Sequence, residues 1–356
     1  MAQVAWNKLV SQPASRWTAA DGPHADVALS SRIRLARNVE GLPFPQRMTE
    51  AQASALIRQV EQGVREINLM GLSSKVELYS LADVPALERQ VLVDKHLISP
   101  QQAQAASGRA VAVSEDESVS IMVNEEDHLR IQSLASGLQL DAAWRTANLV
   151  DDALEQRITY AFDAQLGYLT ACPTNVGTGL RASVMMHLPG LVLTQQAGQL
   201  FHTLSQVGLA VRGLYGEGTE ATGHIFQISN QTTIGKTEEE IIEHLTGVVQ
   251  RVIDAEKQAR DHLYQEMKVQ LEDRIGRSYG ILANARILSS EEAMKLLSDV
   301  RLGIALGLLS QPTLRTLNEL MVAMQPAFLQ KAAGKELTPL ERDVRRAALI
   351  RSHLRV

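Results

Sequence analysis

Arg32-Ile33-Arg34-Leu35 constrains this chain more than any other stretch. Two arginines alternate with two aliphatic residues. On an extended strand the arginines share one face and Ile33 and Leu35 share the other. Such a strand belongs at a sheet whose one side is apolar and buried. The charged side is then either a solvated edge or a site where an anion holds two like charges together.

Four further stretches carry similar chemistry. Cys172 to Val184 packs two glycines, an asparagine, the only cysteine and Arg181 into one short segment. Glycines let backbone N–H groups approach a polar ligand, and Arg181 adds a planar fork suited to phosphate or carboxylate. A plain Gly-rich turn would look similar. Ser118 to Val123 is a β-run leading into Asn124-Glu125-Glu126-Asp127-His128-Leu129-Arg130. Three consecutive acids at a strand end are costly unless a cation faces them, although an acidic turn would also fit. Leu209 to Glu220 runs from a strand into a Gly-rich loop carrying Glu217 and Glu220, with Arg212 before it. Arg342, Asp343 and Arg346 sit in the last helix, the two arginines on one face, which is a basic patch or a plain solvated face.

Bulk properties narrow the class. With 356 residues, two domains are expected. A content of 45% hydrophobic and 21% charged residues fits a soluble globular protein. No apolar run reaches the length of a membrane span and the start lacks an apolar signal core, so neither membrane insertion nor secretion is expected. A single cysteine suits a reducing cytoplasm, and a net charge of −5 argues against direct nucleic-acid binding.

Periodicity predicts helices over 49–69, 85–96, 138–159 and 194–207, and strands over 75–81, 166–171 and 225–234. Residues 184–193 read equally as a strand or a helix start. A capping box at Thr237 and Glu240 opens a long helix to about Met267. Beyond it the pattern is helical throughout, with caps at Ser289 and at Thr338-Pro339. The expected class is therefore α+β: an N-terminal arm over 1–26, a sheet domain flanked by helices over 27–257, and an all-helical domain over 258–356.

Five arginines, Arg32, Arg34, Arg130, Arg181 and Arg212, would neutralise a triphosphate if the strand ends meet in one cleft. The carboxylates could hold Mg²⁺ or a cationic substrate. Neither a Walker A loop nor the protein-kinase signatures occur.

The order and approximate spacing of Ser30 to Arg34, Asn124 to Arg130, Cys172 to Ser183 and Arg212 to Thr219 resemble those of the phosphagen (guanidino) kinases. The long run Cys-Pro-Thr-Asn-Val-Gly-Thr-Gly-Leu-Arg-Ala-Ser is the most specific part, and the resemblance spans residues 27–257. Three departures are similar to the bacterial branch that phosphorylates arginine side chains in proteins. Few residues precede the Arg-x-Arg strand, Met185 stands where small-molecule kinases carry histidine, and a helical extension includes Arg342 to Ala347.

The resemblance implies a largely antiparallel sheet and ATP with Mg²⁺ as cofactors. It implies ATP contacts from Ser30, Ser31, Arg32, Ile33, Arg34, His96, Arg130, Arg181, Ala182, Ser183, Val184, Met185, Arg212, Gly213, Leu214, Tyr215, Gly216 and Glu217. His96 would lie near the base. Glu125, Glu126, Glu217 and Cys172 would act on the guanidinium, with Glu217 favoured as base, Glu126 as guanidinium partner and Glu125 as a water-mediated Mg²⁺ contact. Arg342, Asp343, Arg346 and Ala347 would form an allosteric phosphoarginine pocket. The implied partners are protein substrates marked for Clp-type proteolysis, a stress repressor, a zinc-binding activator protein and a second copy of the chain as a homodimer. A small-molecule guanidino kinase is the alternative activity. A non-catalytic phosphoarginine adaptor is the alternative of a different class.

Overall fold

The computed structural model describes residues 2–72, 74–104, 106–213 and 222–354. Its strands are β1 (Ala28–Arg37), β2 (Val76–Ser80), β3 (Ala110–Ser114), β4 (Val119–Val123), β5 (Leu129–Ser136), β6 (Phe162–Asp163), β7 (Gly167–Tyr168), β8 (Leu180–His187), β9 (Leu209–Gly213) and β10 (Ile225–Asn230). The helices of the first part are α1 (Ala2–Ser11), α2 (Glu50–Leu69), α3 (Ala86–Asp94), α4 (Pro100–Gln104), α5 (Leu140–Glu155), α6 (Pro189–Leu193) and α7 (Ala197–Gln206). They are followed by α8 (Glu238–Glu266), α9 (Lys268–Asn284), α10 (Ser290–Ala305), α11 (Leu314–Ala323), α12 (Pro326–Ala333) and α13 (Pro339–Leu354).

Eight strands form one antiparallel sheet in the order β2-β3-β4-β5-β1-β8-β10-β9. The alternation in β1 determines which side faces what. Ile33 and Leu35 are fully buried and pack with Leu56, Val60, Val150 and Val249, from α2, α5 and α8. The other side, through Leu29, Val111, Met122 and Met185, packs with Trp17 and with Leu297, Val300, Leu320 and Met321 from α10 and α11. The C-terminal helices thus cover part of the sheet's second face. Their packing shields apolar area at about 25 cal/mol per Å².

Several local features differ from the sequence expectation. β3 was absent from it: Ala110-Val111-Ala112-Val113-Ser114 is buried on both faces, so it lacks the alternation that marks a half-exposed strand. The predicted strand 166–171 shrinks to the two-residue ladder β6–β7. The ambiguous stretch 184–193 is both: β8 runs to His187 and Pro189 opens α6. The N-terminal arm, with its short helix α1, packs onto the rest of the chain: Trp6 and Trp17 are buried and the Trp17 indole donates to the Lys95 carbonyl at 3.2 Å. As the capping box at Thr237 and Glu240 predicts, α8 runs unbroken from Glu238 to Glu266. Among the described residues, no helix is long and apolar enough to cross a membrane.

Burial also sets a pH response. His187 is fully buried with Nε2 2.8 Å from Ser298 Oγ, and burial, then Arg301 and Arg260, holds its pKa well below the ordinary histidine value. The folded protein keeps it neutral, whereas the unfolded chain takes up the proton near pH 6.5. Its contribution is therefore complete above about pH 6.5 and is lost as pH falls below that value. The melting-temperature gap between the parent protein and His187→Gln should shrink between pH 7 and 5; a constant gap would refute this account.

Candidate active site

The registers of five strands place the five arginines on one face. Arg34 lies opposite Arg181 on β8 and Gln132 on β5, Arg32 opposite Ser183, and Arg130 opposite Ala36. Arg212 lies opposite Gln227, whose Oε1 accepts from Arg32 Nη2 at 2.8 Å. Clustering has an electrostatic cost. Burial, then Arg130 and Arg181, lowers the Arg32 pKa to about 10. Burial, then Arg32, Arg130 and Arg181, pushes Arg34 well below the ordinary arginine range, and Glu125 opposes this. Arg34 Nε is buried with no hydrogen-bond partner. A bound polyanion would offset the mutual repulsion of these arginines.

The alternation sorts the remaining predicted ATP residues. Ser30, Ser183 and Met185 line a small cavity of about 120 Å³ with Arg32 and His96. Ile33, Ala182 and Val184 belong to the core on the opposite face. The Ser31 hydroxyl is buried, donating to Gly137 O at 2.8 Å and accepting from Gln139 N at 2.9 Å. The side chains of these four residues hold the sheet together and point away from the arginines. Gly213 ends β9. Leu214, Tyr215, Gly216, Glu217 and Glu220 lie outside the described residues.

A larger cavity of about 440 Å³ adjoins the arginine face at Arg32, Arg34 and Arg130. Its inner wall is aromatic: the His96 ring lies 5.3 Å from that of Trp17. Burial, then Arg32, lowers the His96 pKa to about 4, so the ring is neutral near pH 7 and adds no further positive charge. Its outer wall comes from Met294, Met321, Val322 and Gln325 of the C-terminal part. Sequence inspection missed this wall, and also Ser99 and Gln132, since no local pattern brings them here.

The three consecutive acids have three different roles. Asp127 is buried, and its Oδ1 accepts from Asn38 Nδ2 at 2.6 Å and Ala171 N at 2.7 Å, tying the Cys172 segment to the end of β1. Glu125 is buried against Arg130 at 2.7 Å and accepts from the Ser99 hydroxyl. Glu126 is 3.0 Å from the other Arg130 nitrogen, and its side chain is 34% exposed. Burial raises its pKa, Arg130 opposes, and Asp127 and Glu125 add to the rise. Glu126 is thus the most exposed member of the trio.

The Cys172 segment is held by its own backbone. Gly177 has φ +112°, and a Cβ there would collide with the Thr233 carbonyl oxygen. Thr233 Oγ1 donates to Val176 O at 2.7 Å, and Cys172 Sγ lies 3.0 Å from Thr174 Oγ1. On the far side, Arg37 donates to Thr178 O at 2.9 Å while paired with Asp151 at 2.7 Å.

The C-terminal residues separate as well. Arg346 is buried, donating to Met324 O at 3.0 Å and Leu288 O at 2.8 Å and pairing with Asp343. Ala347 is fully buried, and Arg342 is half-buried, donating to Leu337 O at 3.1 Å. The sequence expectation of two arginines on one exposed face thus changes: the Arg346 guanidinium ties α13 to the neighbouring loops.

Residues 57–259 match the model of the ATP:guanido phosphotransferase C-terminal catalytic domain, and residues 268–356 match the protein-arginine kinase McsB C-terminal domain. The chain is 70% identical over 351 residues to a protein-arginine kinase of Symbiobacterium thermophilum, covering 99% of both chains. It is 53% identical over 340 residues to one of Bacillus subtilis, covering 96% of this chain and 93% of that one. Among solved structures, a lombricine kinase is similar with a TM-score of 0.56 at 28% identity, covering 69% of this chain and 72% of that one. A duplicated taurocyamine kinase from Schistosoma mansoni shares the fold with a TM-score of 0.60 at 22% identity, covering 80% of this chain and 42% of that one.

Proposed function

Because the chain belongs to the ATP:guanido phosphotransferase family, in its protein-arginine kinase branch, we propose a direct phosphoryl transfer on the arginine-lined sheet face. The enzyme is a protein-arginine kinase: it moves the γ-phosphoryl group of ATP to arginine guanidinium groups of proteins. The observation that supports the site best is the convergence of five arginines from four strands on one face, with Glu125 and Glu126 against Arg130 beside it.

In this mechanism Arg32, Arg34, Arg130, Arg181 and Arg212 hold the phosphates. They then stabilise the charge that develops on the transferring group and on the departing ADP oxygen. His96 and Trp17 offer a neutral aromatic wall to the base. A guanidinium is a poor nucleophile, with a pKa above about 12 and delocalised lone pairs. A carboxylate fork must orient it and accept a proton as the N–P bond forms. Glu217, which lies outside the described residues, is the favoured base, and Glu126, 34% exposed and with its pKa raised by burial, is the guanidinium partner. Cys172 would lie beside the guanidinium, and Glu125 keeps Arg130 aimed at the phosphates.

Among the described residues no cluster of three or more metal-ligating side chains occurs. Mg²⁺ would arrive on the nucleotide, with Glu125, beside Arg130, as its water-mediated contact. When bound, Mg²⁺ would neutralise the β- and γ-oxygens. Marking of substrates for Clp-type proteolysis, control of a stress repressor, a zinc-binding activator, a homodimer and a phosphoarginine pocket around Arg342, Asp343, Arg346 and Ala347 are carried forward as part of this proposal. So is the division of the chain at 26/27 and 257/258.

The test is incubation with ATP, Mg²⁺ and an unfolded protein, followed by detection of acid-labile phosphate on arginine. Turnover on free arginine or creatine alone, with no protein labelling, would instead indicate a small-molecule guanidino kinase.

A further inference from the structure

A protein substrate differs from a small guanidine in one physical respect: polypeptide leaves the target arginine in both directions and must lie somewhere on the enzyme. An open groove of about 410 Å³ runs along the flank of the Cys172 segment. One wall is the β6–β7 hairpin, the other is the turn from Thr233 into α8, and Gly177 and Thr178 form the floor. The groove is fastened to that segment. Tyr168 N donates to Gly177 O at 2.8 Å, Thr178 N donates to Thr233 O at 3.0 Å, and Thr233 Oγ1 donates to Thr174 O at 3.0 Å. A chain seated here would be held in register with the residues proposed to meet the guanidinium.

Both walls carry large apolar side chains turned to solvent. Phe162 is 60% exposed, Leu166 49% and Ile234 51%. Facing apolar walls of this kind mark interaction sites. The rim is acidic. Glu238 and Glu240, from the first turn of α8, line it together with Lys236, and Glu239 lies in the same turn. Two lining carboxylates against one ammonium leave the groove net negative among the described residues. A helix start ordinarily favours anions, so three glutamates there reverse the local preference. This charge complements an arginine-bearing segment and repels a phosphate backbone.

We propose that this groove docks the extended segment of the protein substrate beside the target arginine, favouring apolar or aromatic residues flanked by lysine or arginine. The inference rests on the protein-arginine kinase function. It adds a substrate preference that free guanidines cannot use.

The test uses the full chain and two variants, Phe162→Ala/Ile234→Ala and Glu238→Gln, each checked by thermal melting. The probes are a fluorescein-labelled 15-residue peptide, with central arginine, a nearby phenylalanine and two lysines, and the tripeptide Gly-Arg-Gly. Each variant should weaken anisotropy-detected binding of the long peptide about tenfold, as for loss of a central contact. It should lower kcat/KM on that peptide equally, with the tripeptide and the KM for ATP unchanged. The glutamate variant should also flatten the dependence of long-peptide binding on salt. Parent-like binding of the long peptide by both variants, or an equal loss on the tripeptide, would overturn the groove. Absence of arginine phosphate on either peptide with the parent enzyme would refute the kinase function; the anisotropy comparison judges the groove separately.

Discussion

Replacing Arg34 by methionine should lower turnover by roughly 10²–10³-fold, as for loss of one preorganised transition-state donor, and should leave the melting temperature unchanged or raised. The two halves of this expectation have one cause. Arg34 sits among Arg32, Arg130 and Arg181, and burial and these like charges oppose its own. Its Nε has no hydrogen-bond partner. In the ligand-free protein that arrangement is unfavourable, and methionine removes a charge while filling similar space. Strain of this sort persists where function requires it. Steady-state kinetics on an unfolded protein and a calorimetric melt, both without and with ATP, check the expectation. Turnover within about threefold of the parent would remove Arg34 from the proposed site, and a large fall in melting temperature would refute the electrostatic account.

Three residues along the same strand, Arg37→Met should do the opposite. Arg37 is 1% exposed, pairs with Asp151 at 2.7 Å, donates to Ala36 O and Thr178 O, and lies 3.5 Å over the Tyr168 ring. Removing one partner of a buried pair leaves an uncompensated charge and costs about 3–5 kcal/mol. Thermal denaturation should show a fall on the order of 10 °C. The double variant Arg37→Met/Asp151→Leu should recover part of the loss, because neither charge then remains buried alone. A single variant as stable as the parent would show that the pair contributes nothing net.

That contrast also measures how much the sequence revealed. Arg32 and Arg34 were legible because they alternate with Ile33 and Leu35, and a period of two determines a face. Arg37 falls on the other face of the same strand, and only the packing of Asp151 beneath it makes it structural. The same limit applies to Glu125, Glu126 and Asp127. Composition marks three acids, and tertiary neighbours alone make one a staple, one a support for Arg130 and one the most exposed of the three. Arg346 looked like part of a solvated basic face because its acceptors, Met324 O and Leu288 O, lie far away in sequence. β3 escaped notice because complete burial removes the amphipathic signal. The chemistry was legible as clusters and the particular activity as a family likeness, whereas the distant wall of the cavity had no local signature.

That wall has a thermodynamic consequence. Arg32, Arg34 and Arg130 border the cavity from the sheet, while Met294, Met321, Val322 and Gln325 border it from the helices that follow α9. Whatever fills it touches both halves of the chain. Occupancy and helix docking are then linked functions. An event that loosens the helices must weaken the ligand by the same factor by which the ligand tightens the helices. A binding partner or modification at the carboxyl-terminal end thereby has a route to the affinity of the cavity's occupant through a shared boundary, with no need for a relay of side chains across the sheet.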